Sequence, residues 1–473
     1  MQRLKRANVS TNNQPNSQTV HTHTIQLPAE TIAEKAADNI IGHLQEAGHA
    51  AFRVGGAVRD RLIGNTPAEV DVATDAVPQK VRSLFRDSYA VGESFGVIIV
   101  HTDQGADVEV ATFREERGYA DGRHPEHVSF STPEKDAQRR DFTINAFFYD
   151  PFQCQVLDFV NGKSDLDDGI IRAIGDPDER FREDHLRMLR AVRFAAKLKF
   201  TIDSDTAQAC RDNAHDLANI SAERVYTELT LMLASTYAAV SFCMLRRFNM
   251  LSQWLPEVEA MKGVEQPPEF HPEGDVWQHT LLMLGRMQQP SKELGWSVLL
   301  HDVGKPPTQH YASDRIRFPK HAEKGADMAG EILRRLKASK QMIESVMLCI
   351  KNHMAFVDVP NMKLSTLRRL IGRPTFDIEL ELHRLDCISS HRKLDNYQFL
   401  LDKKKEFDEE PVLPEPLVRG EDILALGIEP GPLVGELLEQ ARDWQLQKVV
   451  TDKKNAVKKI KQYLKDKHGI EVQ

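Results

Sequence analysis

The stretch VGGAVRDRLIGNTPAEVDVATD, residues 54–75, leaves few folds open to the chain around it. A strand must run into a two-glycine turn that opens a short helix, and a second strand follows within a few residues. Gly55 and Gly56 suit the turn because glycine tolerates tight reversals that a Cβ would obstruct. Within Glu-Val-Asp-Val-Ala-Thr, Glu69 and Asp71 are two apart, so a strand places both side chains on one face. Like charges so placed repel, and a shared cation is the usual reason to keep them together. Taken alone, the stretch reads equally well as a solvated edge strand with acidic decoration.

Length and composition bound the rest. A chain of 473 residues holds about three or four structural units. With 41% apolar and 28% charged residues it reads as globular and water-soluble. No run approaches the roughly 18 apolar residues of a membrane span, so no membrane partner is expected. The N-terminal stretch is polar, without the apolar core of a secretory signal, and residues 1–28 read as a disordered lead-in. Five scattered cysteines without C-x-x-C spacing argue against a cysteine metal site and for a reducing, cytoplasmic compartment. A net charge of −8 rules out a global basic field. Any polyanion must meet local patches: Arg180, Arg182, Arg187, Arg190 and Arg193 in one segment, or the lysines from Lys453 to Lys467 in the tail. For the tail, a solvated helix face is the competing reading.

Patterning divides the chain. Residues 29–48 predict a helix, HAAFRV a strand, and AVRDRLIG a short helix. EVDVAT, FGVIIVHT and the alternating Asp107–Phe113 segment predict further strands, giving an α/β head over 29–170. From FREDHLRMLRAVRFAAKL onward the apolar period becomes 3.6, predicting a helical neck over 171–235 and an all-α body over 236–400. FDEEPVLPEPLVRG marks a linker within a final segment, 401–473, that ends in a basic helix. The fold class is therefore α+β, with several domains.

Glu109, in Asp-Val-Glu-Val-Ala-Thr, supplies a third strand carboxylate. With Glu69 and Asp71 it suits two hard cations, one activating a hydroxyl and the other neutralising a triphosphate leaving group. The Gly55-Gly56 turn opens a helix, where free N–H groups favour phosphate, and Arg59 adds a charged fork.

GGAVRD with EVDVAT, RRDFTINA (139–146) and REDHLRMLRAVRF (182–194) resemble three successive signatures of the class II tRNA nucleotidyltransferases. These are the bacterial-type CCA-adding enzymes, relatives of bacterial poly(A) polymerase, and the match covers roughly residues 50–235. The resemblance implies a polymerase-β-like catalytic palm, with Glu69 and Asp71 as the Mg2+-binding carboxylate pair and Glu109 as the third acid. It further implies that Gly55, Gly56 and Arg59 bind triphosphate, and that Arg139, Arg140, Asp141 and Asn145 hold nucleotide phosphate and ribose. Asp184 and Arg187, with Arg190 beside them, correspond to the template for the incoming base. The family usually has Asp-x-Asp, and Glu69 departs from it by one methylene while keeping charge and hard oxygens. His124, in GYADGRHP, matches a loop between motifs and is read as structural.

The template has its own chemical rationale. Asp184 and Arg187 are i, i+3 on an expected helix and so share a face. Arginine only donates hydrogen bonds and ionised aspartate only accepts them. C and A each present a ring-nitrogen acceptor beside an amino donor, whereas G and U reverse that polarity. One fixed pair therefore suits C and A and leaves polar groups unmatched against G and U. A surface salt bridge is the alternative.

A second set of ligand types begins at residue 271. His279, the adjacent His301-Asp302 and Asp386 suit a mid-series divalent metal such as Mn2+, Fe2+, Ni2+ or Zn2+. In order and spacing they resemble the HD superfamily of metal-dependent phosphohydrolases over about 270–395. That resemblance implies these four residues as ligands, Lys305 facing substrate phosphate, and His321 and His353 where two-metal members carry further ligands. It implies metal-assisted hydrolysis of a phosphoester, such as a 2′,3′-cyclic phosphate or 2′-phosphate; a vestigial scaffold is the alternative.

Together these features predict an enzyme that adds C and A from CTP and ATP to the 3′ end of tRNA, gripping the acceptor stem through the neck arginines and tail lysines. A poly(A)- or A-only-adding polymerase on the same scaffold is one alternative. A phosphohydrolase with an RNA-binding, transferase-inactive head is the other.

Overall fold

The computed structural model describes residues 20–91, 96–103, 105–119, 125–407 and 412–472. The chain forms two compact units, Met1–Ile220 and Ser221–Gln473, divided inside the segment expected to be the neck.

The first unit is built on an eight-stranded sheet. Its strands are β1 (His21–Thr24), β2 (Ala51–Val54), β3 (Asp71–Thr74), β4 (Ser88–Ala90), β5 (Val97–His101), β6 (Asp107–Thr112), β9 (Phe147–Asp150) and β10 (Gln155–Asp158), in the order β1-β10-β9-β2-β3-β6-β5-β4. A separate hairpin pairs β7 (Arg114–Tyr119) with β8 (Pro125–Phe130). Only the β3–β6 pair in the large sheet is parallel. Thr31 and Glu34 form a capping box that starts the helix Ile32–Glu46. That helix buries Ala36, Ile40, Ile41 and Leu44 against Val72, Ile98, Val108 and Val110 of the sheet.

Two expectations are corrected here. The lead-in is not disordered throughout: His21–Thr24 pairs antiparallel with β10, and Tyr149 Oη accepts from the Leu27 backbone N–H at 2.9 Å. The alternation of the HTHT segment carries no apolar face, so hydropathy alone misses it. The FREDHLRMLRAVRFAAKL helix is also two helices, Pro177–Glu183 and Leu186–Leu198. Asp184 lies extended between them (φ −152°, ψ 102°), and its carboxylate accepts from the Leu186 N–H at 3.1 Å. The short acidic side chain captures a backbone donor that a continuous helix would have used.

The second unit is helical, and at its centre the fully buried Trp296 stacks on Tyr226 and donates to Thr230 Oγ1 at 3.0 Å. It is not all-α as expected, because His310–Tyr311 pairs with Ile316–Arg317 in a small hairpin. The segment 310–317 is too polar to show an apolar period of either kind. Gly304 is required by close approach: a Cβ there would meet His321 O at 2.2 Å and Gly325 N at 2.6 Å. Near the C-terminus, Ile423, Leu437, Ala456, Ile460 and Leu464 form a separate small core. The basic helix Lys453–Tyr463 buries Ala456 and Ile460 and leaves Lys454 and Lys458 exposed. No helix among the described residues is long and apolar enough to cross a membrane.

Candidate active sites

Strand register assembles the first site. Val54 pairs with Asp71, so the glycine turn starts beside the carboxylate. Val72 pairs with Val110 in the parallel β3–β6 ladder, and the same offset sets Asp71 level with Glu109. Val70, Val72, Val108 and Val110 are buried, while Glu69, Asp71 and Glu109 are exposed between them. The three acids thus share one face. Glu69 lies just before β3, where the burial alternation of the strand already holds. Asp71 is open to solvent yet surrounded by protein mass. That environment and the neighbouring Glu109 push its carboxyl up to about 6, against the pull of Arg140, and Glu69 adds to the rise.

The glycine turn is held from below. Gly55 has φ +70°, a left-handed conformation that favours glycine, and a Cβ there would lie 3.0 Å from Arg140 Nη1. Its N–H donates to Phe147 O at 3.1 Å. Gly56 begins the helix Gly56–Leu62, which buries Arg59. Arg59 donates to Asn145 Oδ1 at 2.5 Å and pairs with Asp60 at 2.6 Å. Asn145 in turn donates to Asp141 Oδ1 at 3.1 Å, and Arg190 pairs with Asp141 Oδ2 at 2.6 Å. Arg140 donates to Asn145 O at 3.3 Å and pairs with Asp136 at 3.1 Å. Arg139 pairs with the same Asp136 at 2.7 Å. Although burial opposes it, Arg190 and the Asn145 hydrogen bond hold the Asp141 carboxyl down at about 2. Asp141 and Asn145 are buried and hold the arginines: Asn145 accepts from Arg59 and Arg140, and Asp141 pairs with Arg190.

The template pair needs revision. Asp184 and Arg187 do not share a helix, since the chain breaks at Asp184. Arg187 is buried and pairs with Glu183 at 2.6 Å, and it donates to the carbonyls of Arg180 (2.9 Å) and Arg139 (3.0 Å). The structure therefore ties Arg187 to the 139–145 motif. Nor do the neck arginines form one outward patch: Arg182 is exposed, whereas Arg187 and Arg190 are committed to the head. His124 lies outside the described residues.

The second site gathers on helices and helix ends, with His279 inside the helix Val276–Arg286. His301 and Asp302 follow the helix Lys292–Leu300, His321 opens the helix His321–Arg335, and His353 ends the helix Lys340–Asn352. Each imidazole donates Nδ1–H to the carbonyl three residues earlier: His301 to Val298 (2.9 Å), His321 to Phe318 (2.9 Å) and His353 to Ile350 (2.6 Å). This fixes the tautomer and leaves Nε2 as the lone-pair donor. Asp302 joins two groups of metal-ligand geometry, His279/His301/Asp302 and Asp302/His321/His353. Its Oδ1 lies 3.7 Å from His321 Nε2 and 3.9 Å from His353 Nε2. Asp386, on the helix Phe376–Ser389, reaches His279 Nε2 at 3.2 Å. Lys305 pairs with Asp302 at 2.7 Å.

This donor set fits a divalent ion. Nε2 of His279 and of His301 and both oxygens of Asp302 are buried, with ion-pair contacts but no properly directed hydrogen bond. Burial disfavours a proton on His279, but Asp386 and Glu273 overcome it and push the imidazole up to about 9. Burial lowers His353 to about 4. Glu273, which sequence reasoning missed, accepts from His279 Nδ1 at 2.5 Å and His271 Nδ1 at 2.9 Å. Its only trace in the sequence is the His-Pro-Glu spacing of 271–273 inside a proline-rich loop. Such a carboxylate orients a metal-ligating imidazole. Glu273→Gln is expected to weaken manganese binding roughly 10- to 100-fold in an equilibrium metal titration. Unchanged affinity would show that Glu273 does not orient a ligand.

Comparison with known proteins follows the same division. Residues 51–172 match the family model "Poly A polymerase head domain", 199–262 "Probable RNA and SrmB- binding site of polymerase A", and 276–381 "HD domain". The CCA-adding enzyme of Geobacillus thermodenitrificans is 37% identical over 301 residues, covering 63% of this chain and 69% of that one. The Leuconostoc mesenteroides enzyme of the same name is 43% identical over 232 residues, covering 49% and 56%. The chain thus spans little more than half the length of some curated relatives. The solved Bacillus stearothermophilus CCA-adding enzyme in complex with CTP superposes with a TM-score of 0.72 at 26% identity, covering 93% of this chain and 99% of that one.

Proposed function

The chain belongs to the CCA-adding enzyme family, and from that premise we propose that it adds C and A residues from CTP and ATP to the 3′ end of tRNA. The observation that carries this reading is the register that sets Asp71 beside Glu109, next to the glycine turn and its arginines. In the reaction, the terminal 3′-oxygen forms a bond to the α-phosphorus, the α–β bridging P–O bond breaks, and pyrophosphate leaves in line. Asp71, a carboxylate at neutral pH, is placed to take the hydroxyl proton. Arg59 and Arg140, held by Asn145, neutralise the triphosphate, and the free N–H groups after Gly55 add to them. Arg187, fixed by three acceptors, presents a rigid guanidinium near the 139–145 motif for base selection. Magnesium, held by Glu69 and Asp71, would supply further charge neutralisation. The tail lysines offer contacts to the acceptor-stem backbone.

The test is to sequence 3′ ends made on a tRNA lacking CCA, with CTP and ATP supplied separately and together. Ordered C and A addition is expected; A-only tails would reassign the chain to the poly(A)-adding reading, and no incorporation with magnesium sinks both. The raised carboxyl of Asp71 also predicts a pH profile. Below about 6 the carboxylate fraction falls about tenfold per pH unit, so incorporation at limiting magnesium should climb from pH 5 and level only near pH 7. An aspartate of ordinary pKa would level about two units lower, and that outcome would contradict the assignment.

For the second site we propose phosphoester hydrolysis at RNA 3′ ends, such as opening a 2′,3′-cyclic phosphate. Water's oxygen forms a bond to phosphorus, one ribose P–O bond breaks, and the released oxygen takes a proton. His279, His301, Asp302 and Asp386 would hold a transition metal such as Mn2+, Fe2+ or Ni2+, with His321 and His353 serving a second ion. The metal supplies Lewis acidity and a low-pKa water. Lys305, beside Asp302, is placed to bind the phosphate.

A further inference from the structure

Lys305 forms an ion pair with Asp302 Oδ2 at 2.7 Å and donates to Gln266 Oε1 at 2.6 Å. With Gln266's oxygen facing an ammonium, its carboxamide nitrogen is the remaining donor. Gln266 is only 5% exposed, and its Nε2 is buried without a hydrogen-bond partner among the described residues. A buried donor left unmatched is costly, and here it lies beside the ammonium expected to meet phosphate.

Four residues on, Phe270 keeps 46% of its surface exposed although its neighbour His271 packs against the His279 ring, with centroids 4.9 Å apart. Arg315, from the 310–317 hairpin, lies over the Phe270 ring at 5.6 Å. The hairpin leads directly into Phe318, whose ring faces the Lys305 ammonium at 5.5 Å and whose carbonyl holds His321. Two segments that anchor the metal-ligand cluster therefore also carry an exposed aromatic–guanidinium pair and an unmatched buried amide donor.

Phosphate and ribose oxygens accept hydrogen bonds, and a nucleobase offers a flat face that stacks on phenyl and guanidinium planes. We infer that the 266–270 loop and the 310–317 hairpin form a nucleoside-recognising wall of the second site. Gln266 and Lys305 take phosphate or ribose oxygens, and Phe270 with Arg315 stacks the base. The site then selects nucleoside phosphate esters over simple phosphate esters, an inference that rests on the phosphohydrolase reading above.

The test uses the full chain loaded with manganese. It compares kcat/KM for adenosine 2′,3′-cyclic phosphate with that for glycerol 1,2-cyclic phosphate, and measures calorimetric affinity for adenosine 3′-phosphate. Wild type should prefer the adenosine ester by roughly tenfold or more. F270A and R315A should cut that preference and weaken nucleotide binding by roughly fivefold each, with F270W restoring both. Q266A should raise KM for the adenosine ester. No preference in wild type, or an unchanged ratio and affinity in F270A, overturns the wall. Hydrolysis of neither ester removes the phosphohydrolase reading instead. In that case, weaker adenosine 3′-phosphate binding by F270A than by wild type preserves the recognition wall on its own.

Discussion

Asp71→Asn is expected to lower nucleotide incorporation by roughly 10³-fold or more while the protein still folds. The side chain sits on an open strand face, so the amide fits its space; what is lost is the charge shared with Glu69 and Glu109. The effect should be larger than that of Glu69→Gln. Glu69 lies before the strand, whereas Asp71 is the first residue of β3 and pairs with Val54 of β2. Radiolabelled CTP and ATP incorporation, with circular dichroism as a fold control, decides the matter. Retention of more than a tenth of wild-type incorporation would remove Asp71 from the chemistry.

Asp302→Asn should have an effect of similar size on the proposed phosphoester hydrolysis. Asp302 belongs to both ligand groups and pairs with Lys305, so one substitution removes charge from all three functions. Against the penalty of burial, His301 and Lys305 hold its carboxyl well below the usual range, so it is anionic at any working pH. Hydrolysis of adenosine 2′,3′-cyclic phosphate should fall by roughly 10³-fold, with bound manganese lost in parallel. Nucleotide incorporation should persist, because Asp302 and its partners belong to the other compact unit. Loss of hydrolysis with metal content intact would instead confine Asp302 to substrate positioning.

What the sequence reveals depends on how local each feature is. The Glu69–Asp71 face and the Gly55 turn follow from period two and from a missing Cβ, both readable within a few residues. The order of HD-type ligands is readable too, because His279 and Asp386 lie within helices and His301-Asp302 directly follows one. Asp184 was misplaced because a 3.6-residue apolar period continues across a break made by a single side-chain hydrogen bond. Glu273 and Gln266 were missed because they come from EQPPEFHPEGD, a loop without periodicity, where tertiary contact alone gives a residue its task. Likewise Asp141 and Asn145 read as ligands by motif, and only the fold shows that they also hold arginines.

The three imidazoles clamped to their own backbones have a further consequence. Each ring's direction is inherited from one turn of local chain, so no distant residue needs to aim it. For these three, tertiary packing then sets the distance between helix ends. At Gly304 the approach is close enough that a Cβ would collide with the backbone of His321 and Gly325. The site behaves like a caliper whose jaws are rigid and whose gap is set by a hydrogen atom. The spacing of the candidate ligands therefore depends on a glycine that is not itself one of them.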